Sequence, residues 1–89
     1  MENGSAARVE SIVQRVGQRA RLLREAQGLT LREVAARSGL GLGAVSEIEN
    51  GKREGRIGSY ERLASSLGVT LASLLSVGPH ARKVRRPAA

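Results

Sequence analysis

The sequence has no cysteine and only one aromatic residue, Tyr60, among its 89 residues. Without cysteine, disulfides and thiolate metal sites are excluded. Proteins that bind RNA or single strands usually stack bases on several aromatic rings, so these ligands are disfavoured. No apolar run is long enough to span a bilayer, and residues 1–10 lack a signal-peptide core. The chain is therefore expected in the cytoplasm, without a membrane partner.

Residues that support catalysis are also scarce. The single histidine, His80, has no carboxylate or hydroxyl partner near it in sequence, and the acidic residues show no metal-ligand clustering. The run GLGLG at residues 39–43 follows no strand pattern, as a dinucleotide-binding loop would require. We therefore expect no enzymatic activity, no cofactor and no metal.

Positive charge is what the sequence has in excess. Fifteen Lys and Arg against eight Asp and Glu leave a net charge of +7, which favours a polyanionic partner. With so few aromatic residues, double-stranded DNA is favoured over RNA. The positively charged residues are concentrated in two regions. The C-terminus carries Arg82, Lys83, Arg85 and Arg86. The first predicted helix carries Arg8, Arg15, Arg19, Arg21 and Arg24.

Apolar spacing predicts an all-α chain with one domain at residues 7–77. Apolar residues recur at intervals of three and four from Ala7 to Gln27, which is typical of a helix packed on one side. Further helices are predicted from about 57 to 67 and after Thr70, and no strand pattern is present.

Both ends of the chain lack this pattern. Residues 1–6 are small and polar, which predicts a flexible N-terminus. Residues 78–89, GPHARKVRRPAA, begin with a Gly-Pro stop and predict a basic disordered tail. This tail is open to two interpretations, a solvated segment or an arm that follows the minor groove or phosphates.

The segment from Leu29 to Gly51, LTLREVAARSGLGLGAVSEIENG, predicts two short helices joined by a turn. Thr30 and Glu33 have the spacing of a capping box, and Gly39 can take the left-handed conformation that ends a helix. Val45 and Ile48 give the second helix an inward seam. This is the pattern of a helix-turn-helix.

Over Val16 to Leu75, the sequence resembles the Xre or Cro/C1-type helix-turn-helix regulators. The motifs that carry the resemblance are VGQRARLLREAQGLT, LREVAARSG, LGAVSEIENGKR and ASSLGVTLASLL, in that order. It implies a five-helix, lambda-repressor-like domain in a homodimeric transcription regulator, a repressor or an activator, that binds a palindromic operator. Such a protein would associate with a bacterial or phage nucleoid. The alternative is an antitoxin or protein-interaction module, whose protein partner would be a toxin or the transcription machinery.

The resemblance also implies which residues of a recognition helix, at about 42–50, contact base edges. The matching positions are Leu42, Gly43, Ser46 and Glu47. Glu47 can accept a hydrogen bond from cytosine N4, and Leu42 can contact a thymine methyl group. Ser46 can form a hydrogen bond with either base of a pair. The pattern L-G-x-V-S-E-I-E is similar to the recognition helix of actinobacterial Clp-gene regulators. The alternative is a helix that has lost base contact and binds protein.

Phosphate contacts implied by the resemblance lie around this helix. Lys52, Arg53 and Arg56 fall on a loop that runs beside the DNA backbone in this fold. Asn50 is a candidate phosphate donor or, equally, a helix C-cap. Arg32 lies in the first turn of the second helix, whose N-terminus favours anions, or it is an ordinary solvated charge.

Two structural roles follow from the same resemblance. It implies an internal ion pair between Arg24 and Glu49, with two independent solvated charges as the alternative. It also places a dimer interface on the fifth helix, where the alternative is simple capping of the core. The residues of that expected interface are Leu71, Leu74, Leu75 and Val77.

Overall fold

A computed structural model describes the backbone of residues 4–76 and the side chains of residues 12–76. This part of the chain contains five α-helices and no strand. In chain order they are α1 (Gly4–Ala26), α2 (Leu31–Ser38), α3 (Leu42–Glu49), α4 (Ile57–Ser66) and α5 (Leu71–Leu74). The prediction of an all-α, five-helix fold is confirmed. No helix of the described part is long and apolar enough to cross a membrane.

Some helix boundaries differ from the predicted ones. α1 begins at Gly4, so it takes in three of the residues assigned to a flexible N-terminus at 1–6. α4 ends at Ser66, one residue early, because Leu67 adopts the cap conformation that precedes the turn at Gly68. Val77 and the predicted tail, residues 78–89, lie outside the described residues.

Local signals in the sequence fix the ends of α2. Thr30 Oγ accepts a hydrogen bond from Glu33 N (3.0 Å), and Thr30 N donates to Glu33 Oε1 (2.7 Å). The predicted capping box is therefore confirmed. At the other end, Gly39 has φ +75° and its N–H donates to the carbonyl of Ala35, so it ends the helix in the left-handed conformation.

One hydrophobic core unites the five helices. α1 and α3 contribute Val16, Ala20, Val45 and Ile48, and the other helices close the core around them. The apolar side chains that are buried in the described part are Val16, Ala20, Val34, Val45, Ile48, Tyr60, Leu63, Ala64, Leu67 and Leu74.

α1 approaches the end of α3 closely at Gly17. This residue is buried in α1 against the end of α3, and a Cβ at this position would lie 2.1 Å from the carbonyl oxygen of Ile48. It would also lie 3.0 Å from the carbonyl oxygen of Glu49. Only glycine allows the two backbones to come this close, so Gly17 sets how α3 lies on the domain.

Polar side chains of α1 hold the C-terminal part of the domain in place. Arg19 donates from Nε to the carbonyl oxygen of Ser73 (2.7 Å) and from Nη2 to Ser73 Oγ (3.1 Å). Gln27 follows the end of α1, and its Nε2 donates to the carbonyl oxygen of Leu67 (2.7 Å). α5 has only four residues, so the bonds from Arg19 stabilise an element too short to be stable alone.

The capping box makes stability depend on pH. The Thr30 backbone N–H and then the Thr30 side chain lower the pKa of Glu33 in the folded chain. A carboxyl with a depressed folded pKa stabilises the fold above its unfolded pKa, and this is lost as pH falls through the folded pKa. Urea unfolding should therefore show E33Q less stable than the parent at pH 7, with the difference shrinking below about pH 4 and vanishing once the pH is below the folded pKa of Glu33.

Glutamine keeps an oxygen that can accept the same hydrogen bonds, so E33Q changes mainly the charge. A stability difference between the two proteins that stays constant from pH 7 to acid would contradict this role of Glu33.

Candidate nucleic-acid interface

α3 is fixed from behind by apolar side chains and open on its outer side. Val45 and Ile48 are buried against α1 and the core. Leu42, Gly43 and Glu47 are exposed, and Ser46 is half-buried. These four predicted base-contacting residues share one side of the helix because they lie at positions i, i+1, i+4 and i+5. The outer side of α3 is thus accessible to a ligand.

An ion pair between Arg24 and Glu49 joins α1 to the end of α3. Nε and Nη2 of Arg24 donate to Oε2 (2.8 Å) and Oε1 (3.0 Å) of Glu49. The two side chains are 13% and 4% exposed, so they are not independent solvated charges. Nη1 of Arg24 also donates to the carbonyl oxygen of Leu29 (2.9 Å). The guanidinium of Arg24 therefore connects α1, the end of α3 and the turn before α2.

The electrostatics of this pair favour its charged form. The hydrogen bond that Arg24 donates to Glu49 raises the pKa of Arg24 above its ordinary value, and burial opposes that shift. A bidentate guanidinium–carboxylate pair also restricts orientation as well as distance. It therefore holds the end of α3 at a fixed position relative to α1.

A basic loop follows α3. We call residues 52–56, KREGR, the exit loop, and its cations Lys52, Arg53 and Arg56 are all exposed. Lys52 N donates to the carbonyl oxygen of Glu47 (2.8 Å), so the loop starts by closing the end of the helix. The three predicted phosphate-contacting cations therefore lie on the loop that directly follows α3.

Tyr60, the only aromatic residue of the sequence, anchors the exit loop. Its ring is buried, and its hydroxyl accepts a hydrogen bond from Gly55 N (3.0 Å). A Cβ at Gly55 would lie 3.0 Å from the Tyr60 ring, which makes this a close contact of backbone with ring. Nothing in the sequence around Tyr60 indicates this role.

Removing the Tyr60 hydroxyl should loosen the exit loop without unfolding the domain. In Y60F the Gly55 N–H loses its acceptor, at a cost of about 1 kcal/mol, and its exchange with solvent deuterium should accelerate. The Lys52 amide bonds to Glu47 instead and is the internal control. Equal protection of the Gly55 amide in Y60F and the parent would show that the hydroxyl does not anchor the loop.

The other two predicted phosphate-contacting residues, Asn50 and Arg32, lie outside the exit loop. Asn50 is the C-cap of α3, and its Nδ2 donates to the carbonyl oxygen of Ser46 (2.9 Å). This is the capping arrangement, and its phosphate contact stays a prediction. Arg32 is exposed in the first turn of α2, on the solvent side of the capped helix end.

The predicted dimer residues fall into two groups. Leu74 is 0% exposed and belongs to the core, so its side chain leaves no surface for a partner. Leu71 and Leu75 are half-buried and pack against the core while keeping an exposed part. Among the predicted dimer residues that the structure describes, Leu71 and Leu75 therefore keep surface that a partner could contact.

The fold and this surface define a class of protein: a small helix-turn-helix domain with a basic loop after its second motif helix. A family model described as Helix-turn-helix matches residues 21–74. The chain belongs to the Cro/C1-type helix-turn-helix family. No curated protein matches the chain.

Solved structures of three regulators are similar to this chain. The restriction-modification controller protein C.AhdI from Aeromonas hydrophila is 34% identical, with a TM-score of 0.67, over 72% of this chain and 96% of its own. The clp gene regulator ClgR from Corynebacterium glutamicum is 31% identical, with a TM-score of 0.69, over 72% and 68%. The hypothetical transcription factor NHTF from Neisseria is 29% identical, with a TM-score of 0.71, over 83% and 85%.

These similarities agree with the surface described above. Helix-turn-helix proteins of this type act in transcription by binding double-stranded DNA. The chain is therefore a DNA-binding transcriptional regulator and not an enzyme.

Proposed function

We propose that this chain binds a palindromic operator as a homodimer, with α3 in the major groove and the exit loop along the DNA backbone. The observation that supports this proposal most directly is that the outer side of α3 is exposed while its inner side is packed. Leu42 and Glu47 are exposed, and Val45 and Ile48 are buried against the core. A helix presented in this way has the size and placement that major-groove recognition needs.

Base choice would come from a small set of side chains. Glu47 can accept from cytosine N4, Leu42 can contact a thymine methyl, and Ser46 can bond to either base of a pair. The outer side of α3 carries no Arg, Lys, Asn or Gln at positions 42, 43, 46 or 47. Few bases would therefore be read directly in each half-site. Sequence preference would also depend on the presence of two half-sites and on DNA deformability.

Electrostatics support the same orientation. Lys52, Arg53 and Arg56 are exposed beside α3, in a chain whose net charge is +7. Cations that neutralise phosphates release counterions, so the affinity would fall steeply with salt. Arg32 and Asn50 would add contacts at the edges of this surface.

The dimer would form through α5. Leu71 and Leu75 keep exposed apolar surface there, on an element that Arg19 fixes to α1. Twofold pairing of this kind separates two recognition helices by about one turn of DNA, roughly 34 Å. The relatives described as a restriction-modification controller and as a clp gene regulator support gene regulation as the purpose.

Selection of bound sites from random double-stranded DNA tests the proposal. We expect enrichment of a palindrome whose half-sites are about one helical turn apart, and tighter binding by the dimer than by a forced monomer. Failure to enrich any sequence at low ionic strength would overturn the proposal. Enrichment of a single half-site by a monomer would overturn its dimeric part.

The R56Q substitution separates backbone contacts from base contacts. Arg56 is exposed in the exit loop and is not one of the predicted base-contacting residues. We expect R56Q to weaken binding to all duplexes alike and to reduce the slope of log affinity against log salt by about 1. Fluorescence anisotropy at several salt concentrations measures both quantities. An unchanged salt slope would mean that Arg56 does not contact a phosphate.

A further inference from the structure

A second ion pair lies on the exposed surface, between a residue of α3 and one of the exit loop. Nε of Arg53 is 2.9 Å from Oε1 of Glu47, and each side chain is 50% exposed. The resemblance implies separate contacts for the two residues, Glu47 with base edges and Arg53 with phosphates. In the structure they form one pair on the surface that would face DNA.

The two ion pairs of α3 differ in how many guanidinium N–H donors they leave available for a ligand. Arg24 uses Nε, Nη1 and Nη2 within the protein, bonded to Glu49 and to the carbonyl oxygen of Leu29. Arg53 approaches its partner through Nε, and neither Nη atom donates a hydrogen bond to another residue of the described chain. Guanidinium carries four of its five N–H donors on those two atoms. The Arg53 pair therefore retains donors for an acceptor outside the protein.

We propose that Glu47 and Arg53 act on DNA as a single unit. Glu47 is a positioning residue that holds the Arg53 guanidinium beside the outer side of α3, where its Nη atoms donate to a phosphate. Arg53 in turn neutralises Glu47, so that the remaining carboxylate oxygen can face a base edge. This inference rests on the proposed function.

The charges favour such a pairing at a duplex. An unpaired carboxylate on a DNA-facing helix is repelled by phosphates, and the repulsion grows when water is excluded from the groove. An exposed pair contributes little to folding, so its loss leaves the domain intact. Its effect should therefore be seen in binding, and both base preference and affinity should depend on both residues.

A double-mutant cycle tests the coupling on the duplex site selected by the parent chain. The variants E47Q, R53Q and E47Q/R53Q are compared by fluorescence anisotropy at constant salt, after circular dichroism shows each to be folded. We expect R53Q to weaken binding about tenfold or more. The double variant should bind no more weakly than R53Q alone. If the two single effects multiply in the double variant, the proposal is overturned.

Base preference is the second readout. It is the ratio of the affinities for two duplexes, the selected duplex and a duplex changed at the base pair where E47Q alters the preference. R53Q should lower this ratio, whereas R56Q should weaken both duplexes equally. The cycle of E47Q with R56Q is the matched control and should be multiplicative. Equal coupling of Glu47 to Arg53 and Arg56 would indicate a general charge effect and overturn the specific pair.

The same measurements distinguish failure of the proposed function from failure of this inference. If the parent chain binds no duplex, the proposed function and this inference both fall. If the parent binds a selected duplex and the cycle with Arg53 is multiplicative, only the inference falls.

Discussion

The G17A substitution is expected to destabilise the domain by about 3 kcal/mol or more. The added methyl would lie 2.1 Å from the carbonyl oxygen of Ile48, and this atom belongs to the backbone of α3. A backbone oxygen cannot turn aside as a side chain can, so α1 and α3 must separate. Alanine is intrinsically favoured over glycine in a helix by about 1 kcal/mol, so net destabilisation means that the clash dominates.

The G58A variant is the matched control for this prediction. Gly58 also lies in a helix, but a Cβ there meets no atom within 4 Å. The same chemical change should therefore leave stability unchanged or increase it by up to about 1 kcal/mol. Urea unfolding followed by circular dichroism at 222 nm measures both variants. A G17A protein as stable as G58A would show that the contact between α1 and α3 is not tight.

Most of the fold follows from signals within single segments. The capping box at Thr30 and Glu33 and the left-handed glycine at position 39 are local, because each involves residues within one helix and its ends. Apolar spacing at Val45 and Ile48 likewise indicates the inward side of α3. Such patterns depend on a few neighbouring residues, so the sequence alone contains them.

Contacts between distant segments were not predictable in this way. Nothing in the spacing of Gly17 indicates that it meets the end of α3, and nothing in Tyr60 indicates the bond to Gly55. A helical wheel gives the side of a helix but not which backbone it meets. Only resemblance to a family implied the pairing of Arg24 with Glu49, because the two lie on separate helices, 25 residues apart.

The candidate site shows the same division. Helical spacing and the resemblance together place Leu42, Gly43 and Glu47 on one accessible side of α3. The pairing of Glu47 with Arg53 depends instead on the path of the exit loop after Gly51, where φ is +70°. That path follows from tertiary contacts, including the Tyr60 hydroxyl, and no rule of sequence spacing provides it.

The R24M substitution is expected to have the largest effect among changes to charged residues, a loss of about 3–5 kcal/mol. It leaves the Glu49 carboxylate only 4% exposed and without its bidentate partner. It also leaves the carbonyl of Leu29 without the donor that Nη1 supplies. Breaking a buried pair in this way costs more than the pair contributes, because a charge stays in a poorly solvated site. Urea unfolding gives the size of the loss.

Two further variants separate the burial of charge from the loss of a contact. R21M removes an exposed pair on the same helix, between Arg21 and Glu25, and should cost less than about 0.5 kcal/mol. R24M/E49M replaces both buried charges with apolar side chains and should recover much of the stability that R24M loses. If the double variant is no more stable than R24M, then the uncompensated carboxylate is not the cause. The pair would in that case act mainly through the hydrogen bond to Leu29, by fixing the turn before α2.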